Sequence, residues 1–159
     1  MNEKMVAIKT GLAAFFTALS AFLGWKGIMA LVWVLLMVID YISGTAAAIK
    51  SKDWSSQTAR EGIWHKVGMV LAVCVAGLTD LVIAVICEHL PMNFSWTGYI
   101  LPLVLAWYII TELGSILENS VKLGAKVPSW LTKLLRASLE AVDKTGESFE
   151  IKDEGGTGE

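Results

Sequence analysis

At 159 residues, with 55% hydrophobic and 18% charged residues and a mean hydropathy of +0.59, the chain has the composition of a protein most of which contacts lipid. Its net charge of −2 gives no argument for nucleic acid, and its basic residues lie outside the apolar stretches, with no Gly-rich phosphate loop. What remains is one membrane domain over residues 1–142, followed by a polar tail over 143–159.

The first apolar stretch, 11–25 (GLAAFFTALSAFLGW), follows Lys4 and Lys9 as the core of a signal peptide would. Ala18-Leu19-Ser20 makes a weak cleavage-like site, but no soluble domain follows to be exported. On a helix, Thr10, Ala13, Thr17, Ser20 or Ala21, and Gly24 line one side and large apolar residues cover the rest. At ~1.5 Å per residue the stretch reaches only about 22–24 Å, so it is either a short span or a helix lying at the interface. Residues 27–49, 67–87 and 96–117 are predominantly apolar and each long enough, at about 20 residues, to cross a hydrocarbon core. Each is read as a transmembrane helix.

Loop charge orients these spans. Lys50, Lys52, Arg60 and Lys66 fall between the second and third stretches, whereas 88–95 (EHLPMNFS) has no Lys or Arg; the positive-inside rule puts the first connection in the cytoplasm and the second outside. Lys122, Lys126, Lys133 and Arg136 follow the last span and put the C-terminus in the cytoplasm as well. With Lys4 and Lys9 also inside, parity favours four spans over three, leaving only Lys26 outside. Pro128 suits a first helical turn, and residues 129–142 set Trp130, Leu131, Leu134, Leu135, Leu139 and Val142 on one broad face against Lys133, Arg136 and Glu140. That pattern predicts an amphipathic helix on the inner membrane surface or against a neighbouring subunit. Residues 143–159 carry two Lys against six acids and end Gly-rich, the composition of a disordered, solvated tail. The expected fold class is an all-α integral membrane protein with three or four transmembrane helices plus a C-terminal amphipathic helix.

Three spans carry an embedded carboxylate: Asp40, Asp80 and Glu112. An acid near mid-bilayer costs roughly 2.5–3.5 kcal/mol on insertion scales, so it persists where it faces other helices, water or a counter-charge. Asp40 shares a stripe with Gly44 and Ala48, Asp80 with Gly68, Ala72 and Ala76, and Glu112 with Tyr108, Ser115 and Asn119. Small residues at four-residue spacing let helix backbones approach, so Gly44, Gly68, Ala72 and Ala76 are the expected packing contacts. The three acids are the expected polar seam, facing other helices or a pore. For any one acid taken alone, ordinary hydrogen-bonded packing is an equal alternative.

Other chemistry-bearing residues point nowhere. Cys74 and Cys87 have no CxxC or His-spaced partner and read as small buried hydrophobes. His65 and His89 fall in different loops on opposite sides, which argues against a shared metal site. Trp25, Trp54, Trp64, Trp96 and Trp130 near span ends fit an aromatic belt. No Ser/His/Asp, Cys/His or general acid–base pattern can be assembled, so no enzyme, cofactor or metal is expected.

Residues 39–52 (IDYISGTAAAIKSK), 55–73 (SSQTAREGIWHKVGMVLAV), the Asp80 that follows, and above all 110–135 (ITELGSILENSVKLGAKVPSWLTKLL) resemble the toxin-secretion/phage-lysis holin family of small bacterial and phage membrane proteins. The resemblance runs over residues 27–140, and its most specific part is Glu112, Ser115, Glu118, Asn119, Gly124 and Pro128. Thr111 stands where family members often have Asn, and the acidic tail departs from the commonly basic one. The resemblance implies a multi-pass holin of the bacterial cytoplasmic membrane. Such a protein homo-oligomerises in the lipid bilayer and opens a lesion that releases an endolysin or a large toxin, with an antiholin as a further partner and, on this resemblance, Asp40, Asp80 and Glu112 as the polar lining or gate. Two other readings stay open: a small proton-coupled exporter, and a non-conducting antiholin or scaffold.

Overall fold

The computed structural model describes residues 3–90 and 96–148, with side chains from Gly24 onward. Four helices follow one another: α1 (Glu3–Ser51), α2 (Ser56–His89), α3 (Ile100–Lys122) and α4 (Ser129–Glu147). Gly24, at φ 63° and ψ −174°, breaks the helical backbone inside α1, and the segment after it, Gly24–Ser51, is long and apolar enough to cross a membrane. So are α2 and α3, giving three such helices among the described residues. The 11–25 stretch, a short span or an interfacial helix by its sequence, lies outside the residues with described side chains, save for its last two.

Helix ends depart from the sequence reading for local reasons. α2 starts at Ser56 rather than near Val67 because Ser55 caps it: the Ser55 hydroxyl accepts from the Thr58 amide at 3.0 Å. Lys66 and His65 are therefore helical, not loop residues, and His89 is the last residue of the same helix. At 34 residues α2 is about 51 Å long, well beyond a bilayer core. α3 starts at Ile100, four residues later than expected, since Gly98 sits at φ 74° and turns the chain into it. At its other end Gly124, at φ 99°, closes the helix: its amide donates to Val121 O and that of Ala125 to Ser120 O, both at 2.9 Å. Lys50 of α1 adds a 2.6 Å bond to the Leu123 carbonyl, a cation on the negative end of the α3 dipole. α4 runs to Glu147, five residues past the expected 142, so residues 143–147 of the expected disordered tail are helical; residues 149–159 lie outside the described set.

α3 is the centre of the packing. One stripe of it, Leu105, Glu112 and Asn119, is buried against α1 and α2, which hardly touch each other. The apolar core lies there: Trp33 and Met37 of α1, Met69 of α2 and Leu105 of α3 are buried, and the Trp33 ring stacks on Tyr108 with centroids 5.9 Å apart. The opposite side of α3 is covered by α4, which folds back antiparallel after the 123–128 turn. Trp107 Nε1 donates to Asp143 Oδ1 at 2.7 Å, and Gly146 lies against Leu103. The amphipathic helix thus docks on its own chain, because Leu131, Leu135, Leu139 and Val142 find the free flank of α3 within reach of a short turn. Most exposed large apolar side chains belong to α1 and α2.

Candidate functional site

Two of the three sequence-predicted acids meet in one cluster, on a cation that the sequence reading had assigned to a loop. Lys66 Nζ lies 3.0 Å from Asp40 Oδ2 and donates to both Glu112 oxygens at 2.8 Å, so a single ammonium from α2 joins α1 to α3. Asn119 completes it: its amide donates to Asp40 Oδ1 at 3.0 Å and to Ser43 Oγ at 3.2 Å. Glu112 is only 4% exposed, a depth at which a charge needs a paired and hydrogen-bonded partner. Gly44 makes room, since a Cβ there would meet Asn119 Nδ2 at 3.4 Å. Two carboxylates share one ammonium, leaving one formal negative charge in the cluster. Asp40 and Lys66 also line a pocket of about 220 Å³ that extends to Asp53, Trp54 and Thr58 at the 52–55 turn, so the cluster opens toward the end of the bundle where Lys50 and Lys52 lie.

Asp80 stands apart from this cluster, 14 residues and about 21 Å further along α2. It caps a neighbouring helix. Asp80 Oδ1 accepts from Ile100 N at 3.1 Å and Trp96 Nε1 at 2.9 Å, and Oδ2 accepts from Leu101 N at 2.8 Å. The next residue, Pro102, has no amide hydrogen, and Leu103 N bonds Tyr99 O at 3.2 Å, so every donor of the first α3 turn is satisfied. A carboxylate at this positive helix end is favourably placed, and Lys26 closes the site by donating to the Thr97 carbonyl at 3.1 Å. Gly98 is favoured by its positive φ, where a side chain is strained; a Cβ there would also displace the flexible end of Lys26 and press on the Asp80 carboxylate at 3.4 Å. For Asp80 the packing alternative describes its contacts, and it does not share a seam with the other two acids.

The remaining candidates divide. Ala76 is buried against α3 and Ala72 half-buried, but Gly68 is exposed and a Cβ there would meet nothing within 4 Å, so the expected stripe packs only along its second half within the chain. Ser115 and Glu118 lie on the other side of α3, lining a groove of about 590 Å³ between α3 and α4. Gly124 and Pro128 bracket the turn between those helices. Cys74 is exposed on α2 and Cys87 half-buried, rather than both interior. Among the described residues no group of three His, Cys, Asp or Glu side chains is arranged to hold a metal. Sequence reasoning missed Lys66; the Ser55 cap, three residues before Thr58, was the signal that carries the helix back past it.

The sequence profile of a bacteriophage holin family matches residues 17–139. An uncharacterized protein of Listeria monocytogenes is 31% identical over 148 residues, covering 93% of this chain and 96% of that protein. One from Listeria innocua is 30% identical, covering 82% and 85%. An uncharacterized 14.9 kDa protein of Clostridium perfringens is 30% identical over 81% of this chain and 90% of its own length. No solved structure gives a significant match. A family match over most of the chain, on a bundle whose three apolar helices are long enough to cross a membrane, makes this multi-pass membrane protein a member of the bacteriophage holin family.

Proposed function

We propose that this chain is a holin: it assembles with copies of itself in the bacterial cytoplasmic membrane and opens a lesion through which a muralytic enzyme or a large toxin leaves the cell. The family match over residues 17–139 carries the reading. The Lys66 cluster supplies a physical rationale for a protein that first accumulates harmlessly and then opens. In the closed protomer one ammonium holds α1, α2 and α3 together through Asp40 and Glu112. An ion network of this kind has two discrete arrangements, paired or broken, and breaking it frees α2 to move against α3. Asp40, Lys66, Glu112 and Asn119 are the gate in this reading, and Asp80 is a positioning residue that fixes the start of α3.

Expression in a bacterium, with and without a cytoplasmic muralytic enzyme, tests the reading. A holin collapses membrane potential abruptly and causes lysis only when the enzyme is present. Growth with resistance to cationic drugs would instead identify an exporter, and unaltered cells at equal membrane abundance would identify a scaffold or antiholin.

A further inference from the structure

The protomer is amphipathic as a whole, and the side that carries its charge is α4. The exposed large apolar residues crowd α1 and α2, while α3 is covered on both sides. α4 turns Leu135 and Leu139 toward α3, sets Arg136 at the edge of the groove between the two helices, and leaves Lys133, Glu140 and Lys144 exposed on the far face. This helix is not short of the membrane: 19 residues give about 28 Å, close to the ~30 Å hydrocarbon core. It also lies level with α3, from the 123–128 turn at one end to the Trp107–Asp143 bond and the Leu103–Gly146 contact at the other. A row of charges held beside a spanning helix cannot face acyl chains.

We infer that α4 stays on α3 and forms the wall of the water-filled opening, with second copies of this chain completing the ring and α1 and α2 turned to lipid. The inference rests on the holin reading and says which surface bounds the lesion. Charge order on α4 supports water rather than a dry contact. Copies related by rotation about a common axis present Lys133 to Lys133, Glu140 to Glu140 and Lys144 to Lys144 at the same level, and like charges at one level keep the face solvated. Trp130 and Leu134 flank the charged row, 64% and 54% exposed, and are the large apolar residues α4 leaves open for the next copy. The acids of the Lys66 cluster then face helices rather than the lumen, and Ser148 ends on the outer side, the reverse of the cytoplasmic C-terminus read from loop charge.

The test uses purified full-length protein with Cys74→Ala and Cys87→Ala, reconstituted in phospholipid vesicles loaded with a fluorescent dye. Leu103→Cys with Gly146→Cys ties α4 to α3 on oxidation; separately, Ala137→Cys on the exposed face is treated with a bulky, membrane-impermeant maleimide. Dye release is expected to survive the tie, and labelling at Ala137→Cys is expected to abolish most of it, while the same reagent leaves Leu71→Cys, on the lipid side, unreacted. Three results overturn the inference: a tie that never forms in membranes, a tie that silences release until reductant is added, or labelling of Ala137→Cys that leaves release unchanged. Absence of release from the untied, unlabelled protein is a separate outcome that overturns the holin reading and this inference with it.

Discussion

Replacing Lys66 with Met should be among the most damaging single changes in this bundle. The substitution keeps an unbranched apolar stem and removes the ammonium that sits 3.0 Å from Asp40 and 2.8 Å from Glu112. Their nearest oxygens then lie within about 6 Å with nothing between them, and at an effective dielectric of about 20 two such charges repel by about 3 kcal/mol. Leaving buried charge without its partner costs about 3–5 kcal/mol in comparable sites, so both routes give the same size. Equilibrium unfolding in mixed micelles of mild detergent and dodecyl sulfate would measure it. Lys66→Met combined with Glu112→Gln should recover most of the loss, because the amide removes the repulsion while filling the same volume. Asp40 keeps its Asn119 donor in both variants. A loss under about 1 kcal/mol for Lys66→Met, or no recovery in the double variant, would refute the account of the cluster as a mutually dependent ion network.

Asp80→Ala strips the first turn of α3 of its acceptors and should cost about 1–3 kcal/mol, with hydrogen exchange at Ile100 and Leu101 rising first; unchanged protection there would remove the capping role. Ala76→Leu forces a large side chain between α2 and α3 and should destabilise by about 1–3 kcal/mol, whereas Gly68→Leu, which meets open space in the protomer, should leave monomer stability nearly unchanged. Crosslinking of the Gly68→Leu variant then reports on contacts between copies, and oligomers unchanged from wild type would exclude Gly68 from that interface. Ser56→Cys, in the background lacking both native cysteines, should react with an impermeant reagent only after permeabilisation; labelling in intact cells would invert the assigned orientation.

Much of this arrangement was legible in the chain. Glu112 and Asn119, seven residues apart, sit on one helix face by periodicity alone, and both are buried on the α1 side of α3. Asp40 with Gly44 was equally readable, since a small residue one turn from an acid marks where another side chain comes close. The role of Lys66 was hidden because the positive-inside rule counts a lysine before an apolar run as loop charge, whereas a cap eleven residues earlier makes it a helical side chain aimed at the neighbouring spans. Asp80 was hidden differently. Its partners are backbone amides of a helix that begins 20 residues later, and no pattern within α2 reveals that this helix start will pack beside it. Docking of α4 on α3 was open to the same difficulty: an apolar stripe says that a helix has a cover, not which one.

The length of α2 has a mechanical consequence. About 30 Å of its roughly 51 Å fills the hydrocarbon core, so nearly four turns stand clear of it, and the polar residues Gln57, Arg60, Glu61 and His65 place about three of them at the start. Lys66 follows directly, with no break in the helical backbone between it and the projecting turns. A twist or tilt imposed on Arg60 or Glu61 from the aqueous side therefore arrives undiminished at the ammonium between Asp40 and Glu112, as a handle turns a bolt.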